Sequence, residues 1–226
     1  MSQSNNEERA IVEFNIGDEN IKLSPKIVQE YLTGGQPISL PEFKMFSELC
    51  KARKLNPFLK EAYIIKYGNS PATIVVGKDA ILKRAINHQE YNGREQGIIV
   101  LKQDGSIEER KGTFYMQGET VVGGWAKVYR RGWEYPTYIT VSINEAAQTK
   151  KDGSLNSQWA TKPATMIEKV ALVRALRETF VEDLGGMIDE DEAWKQEELQ
   201  RTQTKQVQKQ DDVIDAEVNE IDINEI

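Results

Sequence analysis

The sequence predicts an α+β fold. Antiparallel β-hairpins and a small sheet pack with a long C-terminal helix, preceded by an N-terminal hairpin-helix arm and followed by a disordered acidic tail. Three observations carry this. Apolar and polar residues alternate in adjoining stretches joined by short turn sequences, as antiparallel hairpins require. The segments run helix, strands, helix, strands, helix, which fits segregated elements better than a doubly wound sheet. The longest helical pattern, residues 159–185, gives way to a Gln/Lys/Glu/Asp-rich stretch without aromatics after Trp194.

Each element has a local reason. Ile11, Val12, Phe14 and Ile16 alternate, as do Ile21 and Leu23, and Gly17-Asp18 between them makes a short hairpin. Ser24-Pro25 opens a helix that stops at Gly34-Gly35. Gly-Gly-Gln-Pro then forms a hinge, so this arm can pack on its own core or on a neighbouring subunit. Ser39-Leu40-Pro41-Glu42 is a capping box, and it starts a helix with Phe43, Phe46, Leu49 and Cys50 inward. The basic end of that helix, Lys51, Arg53 and Lys54, complements the helix dipole. Leu55-Asn56-Pro57 breaks it. Residues 62–67 and 72–76 read as strands with a turn at Gly68-Asn69-Ser70-Pro71. Gly77-Lys78-Asp79 leads into a helix carrying Ile81, Leu82, Ala85 and Ile86, with Lys83 and Arg84 outward. A β-rich block follows at residues 98–101, 113–116, 121–129 and 135–141, and residues 148–157 have loop chemistry. Pro163 suits the first position of the final helix, and Gly185-Gly186 its end.

The chain divides into an N-terminal arm at 1–38, a core at 39–190 and a tail at 191–226. Its net charge of −7 hides an asymmetry. Residues 189–226 hold 13 acids against 4 bases, and residues 1–38 hold 6 against 3. Residues 39–188 hold 22 bases against 17 acids. A basic core between acidic ends suggests a polyanion-binding centre and a solvating or partner-binding tail. The last residues, VIDAEVNEIDINEI, alternate acids with Ile and Val, the character of a short partner-binding segment. A lone cysteine, Cys50, excludes an internal disulfide and fits a reducing cytoplasm. No long apolar run spans a membrane.

The binding parts lie in two places. On a wheel of about 100° per residue, Met166, Val170, Leu172, Val173, Leu176 and Phe180 form an apolar stripe. Lys169 falls inside it and Arg177 on its edge. A buried lysine needs either a carboxylate partner or an anionic ligand such as a phosphate backbone. The second place is a basic aromatic hairpin. Trp125, Lys127, Tyr129 and Arg131 share one face of a strand, which suits single-stranded nucleic acid or an ordinary amphipathic solvent face. Gly123-Gly124 within it marks a bulge or a close backbone approach. Catalytic parts are sparse. The single His88 has no Cys/His partner set for zinc, and neither GxxxxGK[ST] nor GxSxG occurs. Glu108-Glu109 and Asp189–Glu192 are the acidic clusters that could hold Mg²⁺.

The ordered motifs resemble a known family. Leu55-Asn56-Pro57-Phe58 with Lys60-Glu61, then residues 74–80 (IVVGKDA) and Tyr91-Asn92-Gly93, match its early motifs. Trp159, Pro163, Met166, Arg177, Phe180 and Gly186-x-Ile188-Asp189 complete the series. The chain is similar to the RecT/Redβ (Bet-type) single-strand annealing proteins of phages and prophages. The resemblance implies an activity without ATP: coating single-stranded DNA and annealing complementary strands in a ring or helical filament. It implies partners too, namely a 5′→3′ exonuclease and a host single-strand-binding protein, in the bacterial cytoplasm. No cofactor is required, and Mg²⁺ enters only as a promoter of annealing. Arg177 and Lys60 become the leading DNA contacts, followed by Lys169. Ala164 stands where Redβ-like members carry a base, so Lys162, Arg130 or Arg131 must supply charge. Lys66, Lys127, Trp125, Tyr129 and Phe58 complete the expected surface, in a groove between residues 125–133 and the helix at 163–183. A metal-dependent nuclease and a self-assembling structural phage protein are the rival readings.

Overall fold

In the computed structural model, residues 10–66, 72–150 and 152–194 are described. The elements run β1 (Val12–Ile16), β2 (Glu19–Leu23), α1 (Pro25–Leu32), α2 (Leu40–Arg53), a 3₁₀ turn (Pro57–Leu59), β3 (Ala62–Ile65), β4 (Thr73–Val76) and α3 (Lys78–Ile86). Then come β5 (Tyr91–Leu101), β6 (Ile107–Lys111), β7 (Thr120–Arg130), β8 (Thr137–Ser142), α4 (Ile143–Ala146), α5 (Ser157–Thr161), α6 (Pro163–Thr179) and α7 (Val181–Leu184). Two antiparallel hairpins, β1-β2 and β3-β4, accompany a four-stranded antiparallel sheet of order β6-β5-β7-β8. The α+β expectation holds.

α6 is the centre of the core. It packs on β7, β8 and β5 on one side and meets α3 on another. Ile167, Val170, Ala171, Leu172, Val173, Ala175, Leu176 and Thr179 are all buried. This is a helix buried nearly all round rather than one with a single apolar stripe. Gly124 makes the close approach possible, because a Cβ there would sit 2.6 Å from the Ile167 carbonyl oxygen. The adjoining register shift between Ile99 and Val100 is a bulge, so both readings of Gly123-Gly124 hold.

The single helix expected over residues 159–185 is three. Lys162 leaves helical geometry at φ −136° before Pro163, since a residue preceding proline is driven out of the α region. Phe180, at φ −122°, breaks the chain again, and its buried ring packs against His88 and Tyr91. The strand expected at residues 113–116 is also absent: Thr113–Met116 is irregular and leads into a turn at Gln117-Gly118, and β6 forms instead at Ile107–Lys111. The cause is tertiary. Arg110 grips Glu119 through both terminal nitrogens at 2.6 Å, and Glu119 also accepts the Met116 amide at 2.7 Å, which folds the intervening loop. The turn expected at residues 68–71 and the tail beyond residue 194 lie outside the described residues.

The N-terminal arm seats on its own core. Phe14, Ile21, Leu23 and Val28 join the main apolar cluster, and the Asn56 side-chain amide donates to Glu19 at 2.9 Å. The capping box of α2 forms with both of its bonds, and its Glu42 does more. Glu42 also receives Lys66 at 2.9 Å and the Ala72 amide at 3.0 Å, tying α2 to the β3-β4 hairpin. Burial alone would raise the Glu42 carboxyl, but the Ser39 amide, Lys66 and the Ala72 amide hold it down to about 2 from an ordinary 4.5. Its folded value is depressed, so its stabilisation is complete above pH 4.5 and lost as pH falls toward about 2.

Two outcomes follow for purified protein. Glu42→Gln lowers the unfolding free energy at pH 7 by about 1–3 kcal/mol, read from the shift in denaturant midpoint. It also flattens the loss of stability between pH 4.5 and about 2; an unchanged acid profile in that window would count against the assignment. Gly97→Ala places a Cβ 1.7 Å from the Arg110 carbonyl oxygen. It therefore costs about 3 kcal/mol or more in chemical denaturation, at the upper end of overpacking.

Candidate nucleic-acid interface

Every strand of the four-stranded sheet alternates, so β7 shows α6 its Gly124, Ala126 and Val128 and turns Trp125, Lys127 and Tyr129 away. The shared face predicted for these residues exists, but α6 lies against the opposite face. The groove expected between residues 125–133 and 163–183 is therefore a packed interface. Trp125 is only 4% exposed, and its indole Nε1 donates to the Arg110 carbonyl oxygen at 3.1 Å. The same carbonyl occupies the space above Gly97, so Trp125 pins β6 across the sheet rather than offering an open stacking surface. Lys127 lies 4.7 Å from the Tyr138 ring centroid and 5.5 Å from that of Trp125, within cation–π range. The Tyr129 hydroxyl reaches Glu95 at 3.4 Å. Arg131 lies beyond the strand end and donates to the Gln89 carbonyl.

Arg130 ties β7 to the end of α6. It binds Glu90 and Glu182, donates to the Thr179 carbonyl at 2.8 Å and lies over the Phe180 ring. Lys66 is held by Glu42, as described above. Both cations, expected at the DNA surface, serve as internal ties because a carboxylate stands closer than solvent.

Lys169 and Arg177 meet the segment that follows α7. Lys169 Nζ lies 2.9 Å from Asp191 and 4.0 Å from Glu190, and Arg177 pairs with Glu192. Asp191 also accepts from Gln148 at 3.0 Å, and Gln148 in turn holds Asn156, the N-cap of α5. Asp189 accepts the Glu192 amide and so caps residues 190–194, which are helical. Burial opposes charge on both Lys169 and Asp191. Three surrounding carboxylates nevertheless hold Lys169 above its ordinary range, while burial and the neighbouring acids raise Asp191. The carboxylate-partner alternative for Lys169 is the one observed.

The sequence motifs converge here. The Val76 amide of β4 donates to the Ile188 carbonyl at 2.8 Å. Burial first, and then Glu190, Asp189 and Asp191, push the Tyr63 phenol of β3 up. Next in space is the Asn-Pro turn. Asn56 is buried, its amide donates to Glu61 at 2.8 Å, and its side-chain oxygen accepts the Phe58 amide at 3.0 Å. The turn thus projects Phe58, 50% exposed, and Leu59, 62% exposed. Lys54 and Lys60 bracket it in left-handed backbone at φ 49° and 58°; no other non-glycine residue has positive φ among the described residues. A Gly77 Cβ would fall 2.9 Å from the Lys60 carbonyl oxygen, which brings Lys78 alongside. Among the described residues, Lys54, Lys60 and Lys78 find no side-chain partner, and neither does Lys162 at the α5–α6 junction. Sequence reasoning missed Lys54 and Lys78. The helix-breaking Leu-Asn-Pro and the Gly77 junction were the signals that could have shown them.

Other chemistry is less developed. Among the described residues, His88, Glu90 and Glu182 bring ligand atoms within 4.8 Å of one another, but the Arg130 guanidinium already binds both carboxylates. Glu108 pairs with Lys102 and Arg110, Glu109 with the Tyr138 hydroxyl, and Asp191 and Glu192 with α6. No described helix is long and apolar enough to cross a membrane.

A basic α+β domain that gathers unpaired lysines around a rigid aromatic turn has the parts of a polyanion-binding protein. The profile of the RecT family matches residues 19–208. The chain belongs to the RecT family, whose members are recombination and annealing proteins. No curated protein matches it.

The two α6 cations separate by substitution. Lys169→Ala leaves Asp191 buried without its ammonium and costs about 3–5 kcal/mol. Arg177→Ala, whose partner Glu192 is one-third exposed, costs about 1 kcal/mol or less. Thermal and urea unfolding of both variants check the order, and equal costs would contradict it.

Proposed function

We propose that this chain binds single-stranded DNA along its phosphate backbone and anneals complementary strands without ATP, as part of phage or prophage recombination. The observation that carries the proposal is the family match over residues 19–208, joined to the Asn-Pro turn with its exposed Phe58 and unpaired Lys54, Lys60 and Lys78. Annealing has no covalent step. The protein must hold a strand by its phosphates and leave base edges free to pair, which Lys/Arg contacts achieve without reading sequence. Phe58 offers a stacking face indifferent to base identity. Arg177 and Lys169 join the site by exchanging Glu192 and Asp191 for phosphate, and Lys162, Lys127 and Arg131 extend it. Arg130, Lys66, Trp125 and Tyr129 support the surface from within.

Subunits line up so that many bases are presented together. The inner face of the N-terminal arm is buried, which leaves its outer face, with Tyr31 and Ile11 exposed, for a neighbour. A 5′→3′ exonuclease that supplies single strands and a host single-strand-binding protein are the partners this role calls for, in the bacterial cytoplasm. Mg²⁺ aids annealing by screening the two strands.

The test is annealing of two complementary oligonucleotides without ATP across a salt series, with affinity read by fluorescence anisotropy. Affinity falls steeply with salt, at about −0.7 in log–log slope per phosphate contact. Lys60→Ala and Arg177→Ala each weaken binding about tenfold and make that slope shallower. A slope near zero, or both variants binding and annealing like the parent, rejects the proposal. Mg²⁺-dependent strand cleavage would favour a nuclease instead.

A further inference from the structure

The Asn-Pro turn presents apolar surface and uncompensated positive charge side by side. The chain carries a segment of complementary character. Residues 213–226 hold five acids, no base and six Ile or Val residues. We propose that this acidic, aliphatic segment docks on the Phe58–Lys60 turn of its own chain and competes there with single-stranded DNA. The competition rests on the DNA-binding reading of Lys60; the docking does not.

Carboxylates of the segment meet Lys54, Lys60 and Lys78 while its Ile and Val side chains cover Phe58 and Leu59. The other cations named for the DNA surface on α6, on β3 and at the end of β7 already have carboxylate partners in Lys169, Arg177, Lys66 and Arg130. Among the described residues, the turn joins unpaired lysines to a large exposed aromatic.

The approach of the chain to its last described residues favours the same turn. Ile188 is bonded to Val76, the Gly77 amide donates to the Glu61 carbonyl at 3.1 Å, and the Lys60 carbonyl abuts Gly77. Ile188, six residues before the last described residue Trp194, thus lies beside the strand that leads through Gly77 to the turn. Eighteen residues separate Trp194 from Val213. Such a tether reaches at most about 60 Å and holds the segment at an effective concentration on the order of millimolar. An intrinsic affinity of only millimolar order then keeps the turn occupied about half the time. The turn is rigid, braced by Asn56 and Glu61, so docking costs little ordering on that side. DNA supplies many more charges per contact and displaces the segment. The consequence is a threshold: short or sparse strands compete poorly, and long ones win.

The experiment replaces Leu59 in the full chain with photoreactive p-benzoylphenylalanine and maps crosslinks by mass spectrometry. Crosslinks are expected to fall within residues 213–226. They should stay within one chain in an equal mixture of isotopically heavy and light protein, and drop several-fold in 0.5 M salt. They should drop equally when Asp215, Glu217, Glu220, Asp222 and Glu225 become their amides. In a second arm, that amide variant binds oligo-dT several-fold more tightly than the parent at low salt, and the gain disappears when Lys60→Ala is added. Crosslinks confined to the folded core, or formed only between chains, overturn the proposal. An amide variant with no gain in a chain that does bind oligo-dT overturns the competition. A chain that binds no oligonucleotide rejects the functional reading, while the crosslinks still decide the docking.

Discussion

A helix buried on nearly every side cannot carry bare charge, and most of this structure answers that constraint. α6 lies against the sheet so closely that only glycine fits at position 124 beneath Ile167. Lys169 and Arg177 nevertheless project from it. The chain satisfies them by returning after α7 and laying Asp191 and Glu192 alongside. That return also completes the fold, because Ile188 bonds to β4, Asp189 caps the last helical turn and Asp191 reaches through Gln148 to the start of α5. One requirement, charge satisfaction inside a packed core, brings the family's separate sequence motifs into a single place.

The same logic sorts the remaining cations. Where a carboxylate can reach a lysine or arginine at small cost, the fold uses it as a tie: Lys66 to Glu42, Arg110 to Glu119, Arg130 to Glu90 and Glu182. Arg53 ties differently, donating to the Asp183 and Gly185 carbonyls and so capping the end of α7 rather than its own helix. Among the described residues, Lys54, Lys60 and Lys78 are left unpaired at the Asn-Pro turn and the start of α3, and Lys162 at the α5–α6 junction. Excess positive charge matters for a polyanion ligand only where it is unspent, which directs attention to Lys54, Lys60 and Lys78 rather than to the basic strand.

Acidic ends and a basic centre then acquire a physical meaning. Asp189, Asp191 and Glu192 are bound into the fold. Under the docking proposed above, such a chain limits its own affinity for polyanions at low occupancy and yields to long strands, because phosphate contacts multiply along DNA while the segment's charge is fixed.

The sequence by itself determined the elements whose causes are local. The capping box at Ser39, the stop at Gly34-Gly35, the hairpin at Gly17-Asp18 and the helix after Pro163 depend on neighbours a few residues away. Motif order likewise revealed the family before any coordinates. Only the tertiary structure decided which face of β7 meets α6, why Thr113–Met116 stays irregular despite its strand-forming residues, and which cations are engaged. Those outcomes turn on partners distant in sequence, such as Asp191 for Lys169, 22 positions away, or Glu182 for Arg130, 52 away. Spacing cannot reveal such pairs, because a charged side chain's role is set by whichever opposite charge the folded chain brings nearest.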